Sequence, residues 1–379
     1  MTFRVLSHAA LRPCASGIGW LASKALATGR SAHMQYHKDV ITAIGNTPLI
    51  KLRKASEITG CEILGKAEFM NPGQSVKDRA GRQMILEAEK RGDLKPGGLV
   101  IESTAGNTGI GLAVVASARG YRTIIVIPDT QSQEKKDMLR LCGAELVEVP
   151  AVAYSNPNQF QHVGRRLADQ LRKTEPNGVL YGDQWNNLDN PKAHYVSTGP
   201  EIWAQTDGKI DGFICSVGTG GTLSGTSAFL REKKKDIKIG LADPRGAAMY
   251  DLYTRGEVKM SEGSSITEGI GLGRMTPIIA DMEIDHAYLI PDEEAIPLVY
   301  DLLEHEGLCM GGSTAINIAG AIRLGKELGP GHTIVTMLCD SGNRYQSKLY
   351  NPDFMRSKNL PVPEWLERRS KIEVPFEKV

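Results

Sequence analysis

Residues 71–79, Asn-Pro-Gly-Gln-Ser-Val-Lys-Asp-Arg, place one lysine where its amine could do covalent chemistry. An extended run precedes them, a Pro-Gly pair ends that run, and a helical pattern opens at Asp78. Ser75 and Asp78 are residue types that favour a helix N-terminus. Lys77 is therefore predicted to lie at the positive end of a helix dipole, which disfavours the charged ammonium and favours a nucleophilic amine. This placement indicates Schiff-base chemistry; the alternative is a solvated loop lysine.

A glycine-rich loop, Gly218-Thr219-Gly220-Gly221-Thr222, joins a predicted strand to a predicted helix. Glycines let successive backbone N–H groups converge, and the helix N-terminus adds its dipole. The loop is therefore a candidate phosphate cradle that needs no cationic side chain, or else simply a tight turn. A nucleotide P-loop is excluded in its usual form because no Gly-Lys-Ser/Thr follows, and the loop does not complete GxGxxG.

Polar groups also follow two other predicted strands. Ser103-Thr104-Ala105-Gly106-Asn107-Thr108 leads into a helix N-terminus, so it is either a second anion site or an ordinary capped helix. Ser341 follows a strand at residues 333–338, on the edge where open α/β sheets bind ligands. Asp340 is its neighbour, but side chains alternate along a strand. Ser341 is therefore predicted to face the ligand.

Short apolar strands alternate with helical patterns along most of the chain, which predicts an α/β fold with two parallel-sheet lobes and a ligand cleft between them. The predicted domains are a leader at residues 1–34, a catalytic core at 35–350 and a C-terminal extension at 351–379. Within the core, the smaller lobe covers about residues 73–185, and the larger covers about 35–72 plus 186–350. The proline-containing tail is expected to be an extended arm.

Bulk composition excludes several classes of protein. With 379 residues, 41% hydrophobic and 23% charged, the chain is ordinary for a globular protein with two lobes. The net charge of +1 gives no support for a nucleic-acid partner. Its 6 cysteines include no CxxC pair and no cluster with zinc spacing, so no metal site is expected.

The first 34 residues differ from the rest. They contain no Asp or Glu, while Arg4, Arg12, Lys24 and Arg30 supply positive charge. This composition is typical of a mitochondrial transit peptide, which predicts a matrix location; a cytoplasmic protein with a disordered extension is the alternative. No run reaches the roughly 20 apolar residues that a membrane-spanning helix needs.

The motifs resemble those of the fold-type II pyridoxal-phosphate (PLP) enzymes, the family of cysteine synthase and cystathionine β-synthase. Five segments match in the order of that family, and each alone would be weak. They are residues 71–79, 102–109, 218–222, 267–273 and 339–345. The resemblance extends from about residue 44 to about residue 350 and implies PLP as cofactor in a cleft between two lobes.

The resemblance also implies a role for each matched residue. Lys77 would be the catalytic lysine that carries the cofactor. The other predicted cofactor contacts are Asn107 to the ring hydroxyl, Ser341 to the ring nitrogen, and Gly218, Thr219, Gly220, Gly221 and Thr222 to the phosphate. The predicted contacts to the substrate carboxylate are Ser103, Thr104, Gly106, Thr108 and Gln184. Three positions depart from the common pattern of the family: Gln74, Ala105 and Ala315.

The implied reaction is β-replacement of acetate in O-acetyl-L-serine by sulfide, giving L-cysteine through an α-aminoacrylate bound to PLP. Cystathionine β-synthase, β-cyanoalanine synthase and serine dehydratase remain alternatives because they share most of these residues. A heme-bearing cystathionine β-synthase is disfavoured, since no heme segment is recognisable. A non-catalytic partner of serine acetyltransferase is the alternative of another class. The family resemblance further implies a homodimer and small-molecule substrates.

Overall fold

The computed structural model describes residues 36–104, 106–370, 372 and 375. The predicted leader at residues 1–34 lies outside the described residues, as does Ala105. Residues from Asp39 onward group into one unit, and all elements described below belong to it. Within the described part of the chain, no helix is long and apolar enough to cross a membrane.

Two sheets organise this unit. Its strands are β1 (Leu49–Lys51), β2 (Glu62–Ala67), β3 (Leu99–Ser103), β4 (Arg122–Pro128), β5 (Ala144–Val149), β6 (Val179–Tyr181), β7 (Gly212–Cys215), β8 (Lys238–Pro244), β9 (His286–Ile290) and β10 (Thr333–Leu338). The larger sheet has the order β1-β2-β10-β7-β8-β9, and the smaller has the order β5-β4-β3-β6. All pairs are parallel except β1 with β2. The predicted α/β fold with two parallel-sheet lobes is confirmed.

Helices cover these sheets. They are α1 (Arg53–Thr59), α2 (Lys77–Arg91), α3 (Asn107–Arg119), α4 (Gln133–Leu141), α5 (Phe160–Leu171), α6 (Asp189–Ala193), α7 (Gly199–Gln205), α8 (Gly221–Lys233), α9 (Met249–Arg255), α10 (Asp292–Glu306), α11 (Gly312–Leu328) and α12 (Pro352–Ser357). A π-helical segment, His194–Thr198, joins α6 to α7. The prediction of an extended arm at residues 351–379 is wrong over Pro352–Ser357, which form α12. Asn351 caps that helix by accepting hydrogen bonds from two backbone N–H groups, and Pro352 occupies a first-turn position.

Both faces of the larger sheet are buried. Along β7, Phe213 and Cys215 belong to one apolar cluster, whereas Ile214 between them belongs to the other. Strand β10 alternates in the same way, with Ile334 on one side and Val335 on the other. This doubly covered geometry explains why the parallel strands read as continuous apolar runs without a polar face.

Helices α2 and α3 touch through their backbones. A Cβ atom added to Gly81 would lie 2.7 Å from the carbonyl carbon of Gly111. One added to Gly111 would lie 2.8 Å from the carbonyl oxygen of Lys77. Two glycines thus bring the start of α2 against α3, which fixes Lys77 close to the loop that precedes α3.

A buried ionic network ties α2 to the larger sheet. The fully buried Arg79 guanidinium donates to Glu68 at 2.7 Å and to Glu201 at 2.6 Å. Lys66, on β2, also pairs with Glu201 at 2.7 Å. Two cations and two carboxylates therefore offset one another in the interior, and α2 is anchored two residues after Lys77.

Candidate active site

A cavity of about 680 Å³ lies at the carboxyl ends of strands from both sheets. Its lining includes Thr104 after β3, Ser216 after β7 and Cys339 after β10. The carboxyl edge is where parallel α/β sheets place ligand-binding loops. Lys77 lines this cavity together with the glycine loop and the loop before α3.

The lysine segment is joined to the end of β10. The Val76 N–H donates to the Cys339 carbonyl at 2.9 Å, and Ser75 forms an isolated bridge with Asp340. The Ser75 hydroxyl accepts from the Lys77 N–H at 3.3 Å, so Ser75 contributes to the helix start as predicted. Asp78 instead turns back and accepts from the Gly73 N–H. These bonds hold Lys77 as the first residue of α2, at the cavity wall.

The glycine loop needs its glycines. Gly220 has φ of +92°, and a Cβ there would lie 2.3 Å from a methyl carbon of Ile279. A Cβ on Gly218 would lie 2.2 Å from the Gly269 carbonyl oxygen. The loop opens α8, whose first N–H groups have no partner within the helix. Because its backbone is exposed to the cavity at the positive end of a helix, the loop can hold a phosphate.

Four of the five predicted phosphate-loop residues line the cavity: Gly218, Thr219, Gly220 and Thr222. Gly221 does not belong to the lining. A Cβ at Gly221 would lie 2.1 Å from the Asn190 side-chain oxygen, so its α-carbon faces the helix behind the loop. The α-carbon of Gly221 therefore points away from the cavity. Only its backbone N–H could make the predicted contact with the phosphate.

The loop before α3 brings polar groups to the opposite wall. Thr104, Gly106, Asn107 and Thr108 line the cavity, as does Gln184 from the segment after β6. The Thr108 hydroxyl donates to the Gln184 side-chain oxygen at 2.6 Å. The Gln184 amide N–H groups thus remain available to a carboxylate, together with the helix N-terminus.

Asn107 is held in a network that links three segments. Its side-chain nitrogen donates to Asp340 at 2.7 Å, and its oxygen accepts from Arg344. Arg344 also donates to the Gly73 carbonyl, in the lysine segment. One of the two N–H groups of the Asn107 amide is left for a ligand.

The prediction for Ser341 needs correction. Ser341 does not belong to the cavity lining. Strand β10 ends at Leu338, and by Ser341 the chain has turned to form a bridge with Met310. The Ser341 hydroxyl accepts from the Asn343 N–H at 3.4 Å and caps the next turn. The alternation assumed for a continuing strand fails because the strand has ended.

Ser313 occupies the cavity wall instead. It is the second residue of α11, is 6% exposed and lines the cavity beside Cys339. Burial raises the pKa of the Cys339 thiol to about 11, and a hydrogen bond from Ser313 opposes that shift. The sequence signal for Ser313 is the Gly-Gly-Ser-Thr run at residues 311–314, which opens α11.

Ser103 also points elsewhere. It is fully buried at the end of β3, and its hydroxyl accepts from the Tyr181 hydroxyl at 3.2 Å. A Cβ added to Gly164, on α5, would lie 1.9 Å from the Ser103 oxygen. The side chain therefore faces α5, and the predicted contact of Ser103 with the substrate is wrong for its hydroxyl.

Charged residues at the cavity were not anticipated. The buried ammonium of Lys135, on α4, pairs with Glu268, which also pairs with Lys348 at 2.5 Å. Burial lowers the pKa of Lys135 to about 8. Glu268 lies in the 267–273 segment that resembles the family motif, but that motif does not indicate which residue Glu268 contacts. Since the pair joins positions 133 residues apart, no local pattern could reveal it.

Aromatic residues and one arginine form another part of the wall. The Arg274 guanidinium lies 4.4 Å from the ring centre of Tyr154 and 5.9 Å from that of Trp185. Arg274 also donates to the Gln161 side chain at 3.2 Å. Such stacking holds a cation at a surface that remains largely apolar. Within the described residues, no group of three or more His, Cys, Asp and Glu side chains could hold a metal ion.

Comparison with known proteins agrees with this geometry. Residues 40–340 match the family model described as pyridoxal-phosphate dependent enzyme. Cysteine synthase 1 of Neurospora crassa is 49% identical over 337 residues, covering 87% of this chain and 88% of that protein. A cysteine synthase of Dictyostelium discoideum is 43% identical over 343 residues, covering 88% and 89%.

A solved structure shares the fold as well. The O-acetylserine dependent cystathionine beta-synthase from Helicobacter pylori superposes with a TM-score of 0.73 at 32% identity. The match covers 83% of this chain and 99% of that one.

Proposed function

Because this chain belongs to the pyridoxal-phosphate dependent enzymes, we propose that it is a cysteine synthase, which replaces the acetate of O-acetyl-L-serine with sulfide. The observation that carries this proposal is the meeting of three groups around one cavity. They are the amine of Lys77, the glycine loop before α8 and the Thr108–Gln184 pair. Together they supply a covalent anchor, a phosphate cradle and a carboxylate receptor.

The residues present fit pyridoxal phosphate. Its phosphate suits the loop of Gly218, Thr219, Gly220 and Thr222, where backbone and hydroxyl donors replace cationic side chains. The free N–H of Asn107 suits the ring hydroxyl. When bound, the cofactor supplies an electron sink that makes the Cα hydrogen of an amino acid acidic. Lys77 lines the cavity at the start of α2 and is the residue assigned to carry the cofactor and to move that proton.

Ser313 is the residue assigned to the ring nitrogen. Its hydroxyl is neutral, so it leaves the ring nitrogen uncharged, and this suits elimination and replacement at Cβ better than transamination. The neighbouring acid, Asp340, does not line the cavity; its Oδ2 accepts from Asn107 at 2.7 Å and from the Tyr345 hydroxyl at 2.5 Å, while its Oδ1 has no hydrogen-bond partner among the described residues. The buried Asp340 carboxylate is therefore held by Asn107 and Tyr345, and Ser313 is the better partner for the ring nitrogen.

The substrate carboxylate is assigned to the loop before α3. Thr104, Thr108 and Gln184 present hydroxyl and amide groups there, and the first N–H groups of α3 add to them. Substrate held at this wall shares the cavity with Lys77, which is assigned to move its Cα proton. Acetate departs from Cβ and sulfide enters at the same carbon.

A second candidate is an O-acetylserine dependent cystathionine β-synthase. The observation that favours it is the wall formed by Tyr154, Trp185 and Arg274, which offers apolar area and a cation to a nucleophile larger than sulfide. The solved relative from Helicobacter pylori is described as having that activity. Competition between sulfide and homocysteine for the same reaction separates the two candidates.

The test is the visible absorption of the purified full chain, first alone, then with O-acetyl-L-serine, then with sulfide. We expect the absorbance of a lysine-bound cofactor, a shift to longer wavelength with O-acetyl-L-serine, and its reversal as L-cysteine forms. A protein that responds to serine and not to O-acetyl-L-serine would exclude the cysteine synthase proposal. A colourless protein that takes up no cofactor would indicate the non-catalytic alternative.

We also propose a homodimer, an interaction with serine acetyltransferase, and import into the mitochondrial matrix through residues 1–34. The basic, acid-free composition of those residues supports import. Exposed apolar side chains support a protein interface, among them Met70 (56% exposed), Leu188 (60%) and Val196 (49%). Light scattering of the pure protein tests the dimer, and imaging of a fluorescent fusion with and without residues 1–34 tests import.

A further inference from the structure

A continuous helical segment, residues 189–205, lies directly behind the glycine loop. It comprises α6, the π-helical segment and α7. A Cβ on Gly225 would lie 1.9 Å from the Pro191 carbonyl oxygen, so α8 meets this segment backbone to backbone. Side chains of the segment therefore reach the loop from the side opposite the cavity.

The π-helical turn has a local cause. The Gly199 N–H bonds to the His194 carbonyl, five residues earlier. The next residue, Pro200, has no N–H, and its ring would crowd the carbonyl of residue 196 in a regular α-helix. The turn is widened where His194 faces α8.

Asn190 contacts one threonine of the loop from behind. Its side-chain nitrogen donates to the Thr219 hydroxyl oxygen at 2.8 Å and to the Gln184 carbonyl at 2.9 Å. The Gly221 N–H also approaches the Thr219 oxygen, at 3.4 Å. Because that oxygen already accepts on its buried side, the hydroxyl hydrogen of Thr219 is directed toward the cavity that Thr219 lines.

His194 contacts the other threonine. One imidazole nitrogen, Nε2, lies 3.3 Å from the Thr222 hydroxyl, and Nδ1 lies 2.8 Å from the Thr198 hydroxyl. His194 is fully buried, and burial lowers its pKa well below the usual value. Arg79, Lys77 and Arg82 act in the same direction, while Glu201 opposes them. The ring is therefore neutral near pH 7, with one nitrogen donating and the other accepting.

The choice of tautomer decides what Thr222 offers to an anion. With the proton on Nε2, the ring donates to Thr222, whose own hydrogen is free to point into the cavity. With the proton on Nδ1, Thr222 donates to the ring and turns its lone pairs toward the anion. A phosphate in the loop favours the first arrangement, in which Thr198 donates to Nδ1.

We propose that Asn190 and His194, four residues apart on one helical segment, are positioning residues that turn the hydroxyl hydrogens of Thr219 and Thr222 toward the phosphate of the cofactor. The inference rests on the proposed function, because the anion is the phosphate of bound pyridoxal phosphate. Neither residue lines the cavity; each acts through a threonine that does.

The tautomer is tested on the wild-type holoenzyme. Nitrogen NMR of protein labelled with ¹⁵N-histidine separates protonated from unprotonated ring nitrogens, and the spectrum of His194→Gln assigns the signals of His194. We expect a neutral ring protonated at Nε2. A proton on Nδ1, or a charged ring, overturns the proposal for His194, regardless of how the substitutions at His194 affect cofactor binding.

Matched substitutions test the consequence for cofactor binding. His194→Met removes the donor, whereas Gln at this position can still donate from its amide. We expect the Kd for pyridoxal phosphate to rise roughly tenfold in His194→Met and to stay within about threefold in His194→Gln. The ³¹P NMR signal of the bound phosphate should move in the Met variant alone.

A double-mutant cycle separates positioning from general structural damage. In a Thr222→Val background, His194→Met should cause no further loss of affinity, since the hydroxyl it orients is gone. Asn190→Asp, which replaces amide donors with an acceptor, should likewise weaken binding only while Thr219 is present. Losses that persist without the threonines contradict the proposal. A colourless wild type would overturn the proposed function, whereas a coloured wild type with the wrong tautomer would overturn this inference alone.

Discussion

The Thr108 hydroxyl donates to the side-chain oxygen of Gln184 at 2.6 Å, joining the first turn of α3 to the segment after β6. This bond leaves the Gln184 amide hydrogens facing the cavity. Thr108→Val should let Gln184 rotate, raising KM for O-acetyl-L-serine about tenfold, an effect of about 1.4 kcal/mol. Thr108→Ser keeps the donor and serves as the control. Unchanged KM in the valine variant would mean that the carboxylate binds elsewhere.

Lys77→Ala should remove both the visible absorbance of the lysine-bound cofactor and turnover. The amine is the covalent anchor and the base, so a loss of at least about a thousandfold in kcat is expected. Lys90→Ala, which changes a lysine of α2 whose side chain is 69% exposed, is the matched control and should retain both properties. A fully active Lys77→Ala enzyme would remove the basis of the proposed function.

Ser313→Ala and Ser341→Ala form a discriminating pair. Ser313 lines the cavity and Ser341 does not. The first substitution should lower kcat by about tenfold or more and alter the absorption maximum of the cofactor, because it removes a hydrogen bond at the ring nitrogen. The second should leave kcat within about twofold. The reverse ranking would restore the role first predicted for Ser341.

Arg79→Met should destabilise the fold strongly. The substitution leaves two carboxylates, Glu68 and Glu201, without their guanidinium partner, and Glu68 is fully buried. Breaking a buried pair in this way costs about 3–5 kcal/mol of unfolding free energy. Urea denaturation followed by circular dichroism measures the change, with Arg140→Met on the exposed face of α4 as the control. A loss below about 1 kcal/mol would show that the network contributes little.

Glu102 should make the fold less stable as pH rises. Burial raises the pKa of this carboxyl from the usual 4.5 to about 8. Between those values the folded protein keeps a proton that the unfolded chain releases, so stability declines with increasing pH by at most about 1.4 kcal/mol per unit. Glu102→Gln should flatten that part of the profile relative to wild type. Parallel profiles from pH 5 to 8 would contradict the assignment.

The fold class was predictable from sequence because parallel, doubly covered strands leave continuous apolar runs between helical patterns. Strand β10 is one example, predicted at residues 333–338 and found at Thr333–Leu338. Segments with short or mixed patterns were harder to read. Helix α1 has only seven residues, no side-chain cap and no acidic residue in its first turn, so local signals were weak.

The candidate site was predictable where chemistry depends on local backbone, as in the glycine loop and the start of α2. It was not predictable where a side chain depends on how far a strand continues. Because the chain turns after the end of β10, the Ser341 hydroxyl caps the 3-10 turn that follows, and Ser313 lines the cavity instead. The pairing of Lys135 with Glu268, and the contact of His194 with Thr222, arise only from tertiary packing.

The position of β10 has a consequence for synthesis of the protein. This strand lies between β2 and β7, and its register with β2 joins Thr333 to Glu62 across most of the chain. During synthesis, the edges of β2 and β7 that pair with β10 therefore stay without hydrogen-bond partners until β10 has left the ribosome. The smaller sheet, complete once Tyr181 has appeared, can close much earlier. A nascent chain with one finished lobe and unpaired apolar strands in the other is prone to aggregate, so we expect its yield to depend on chaperones.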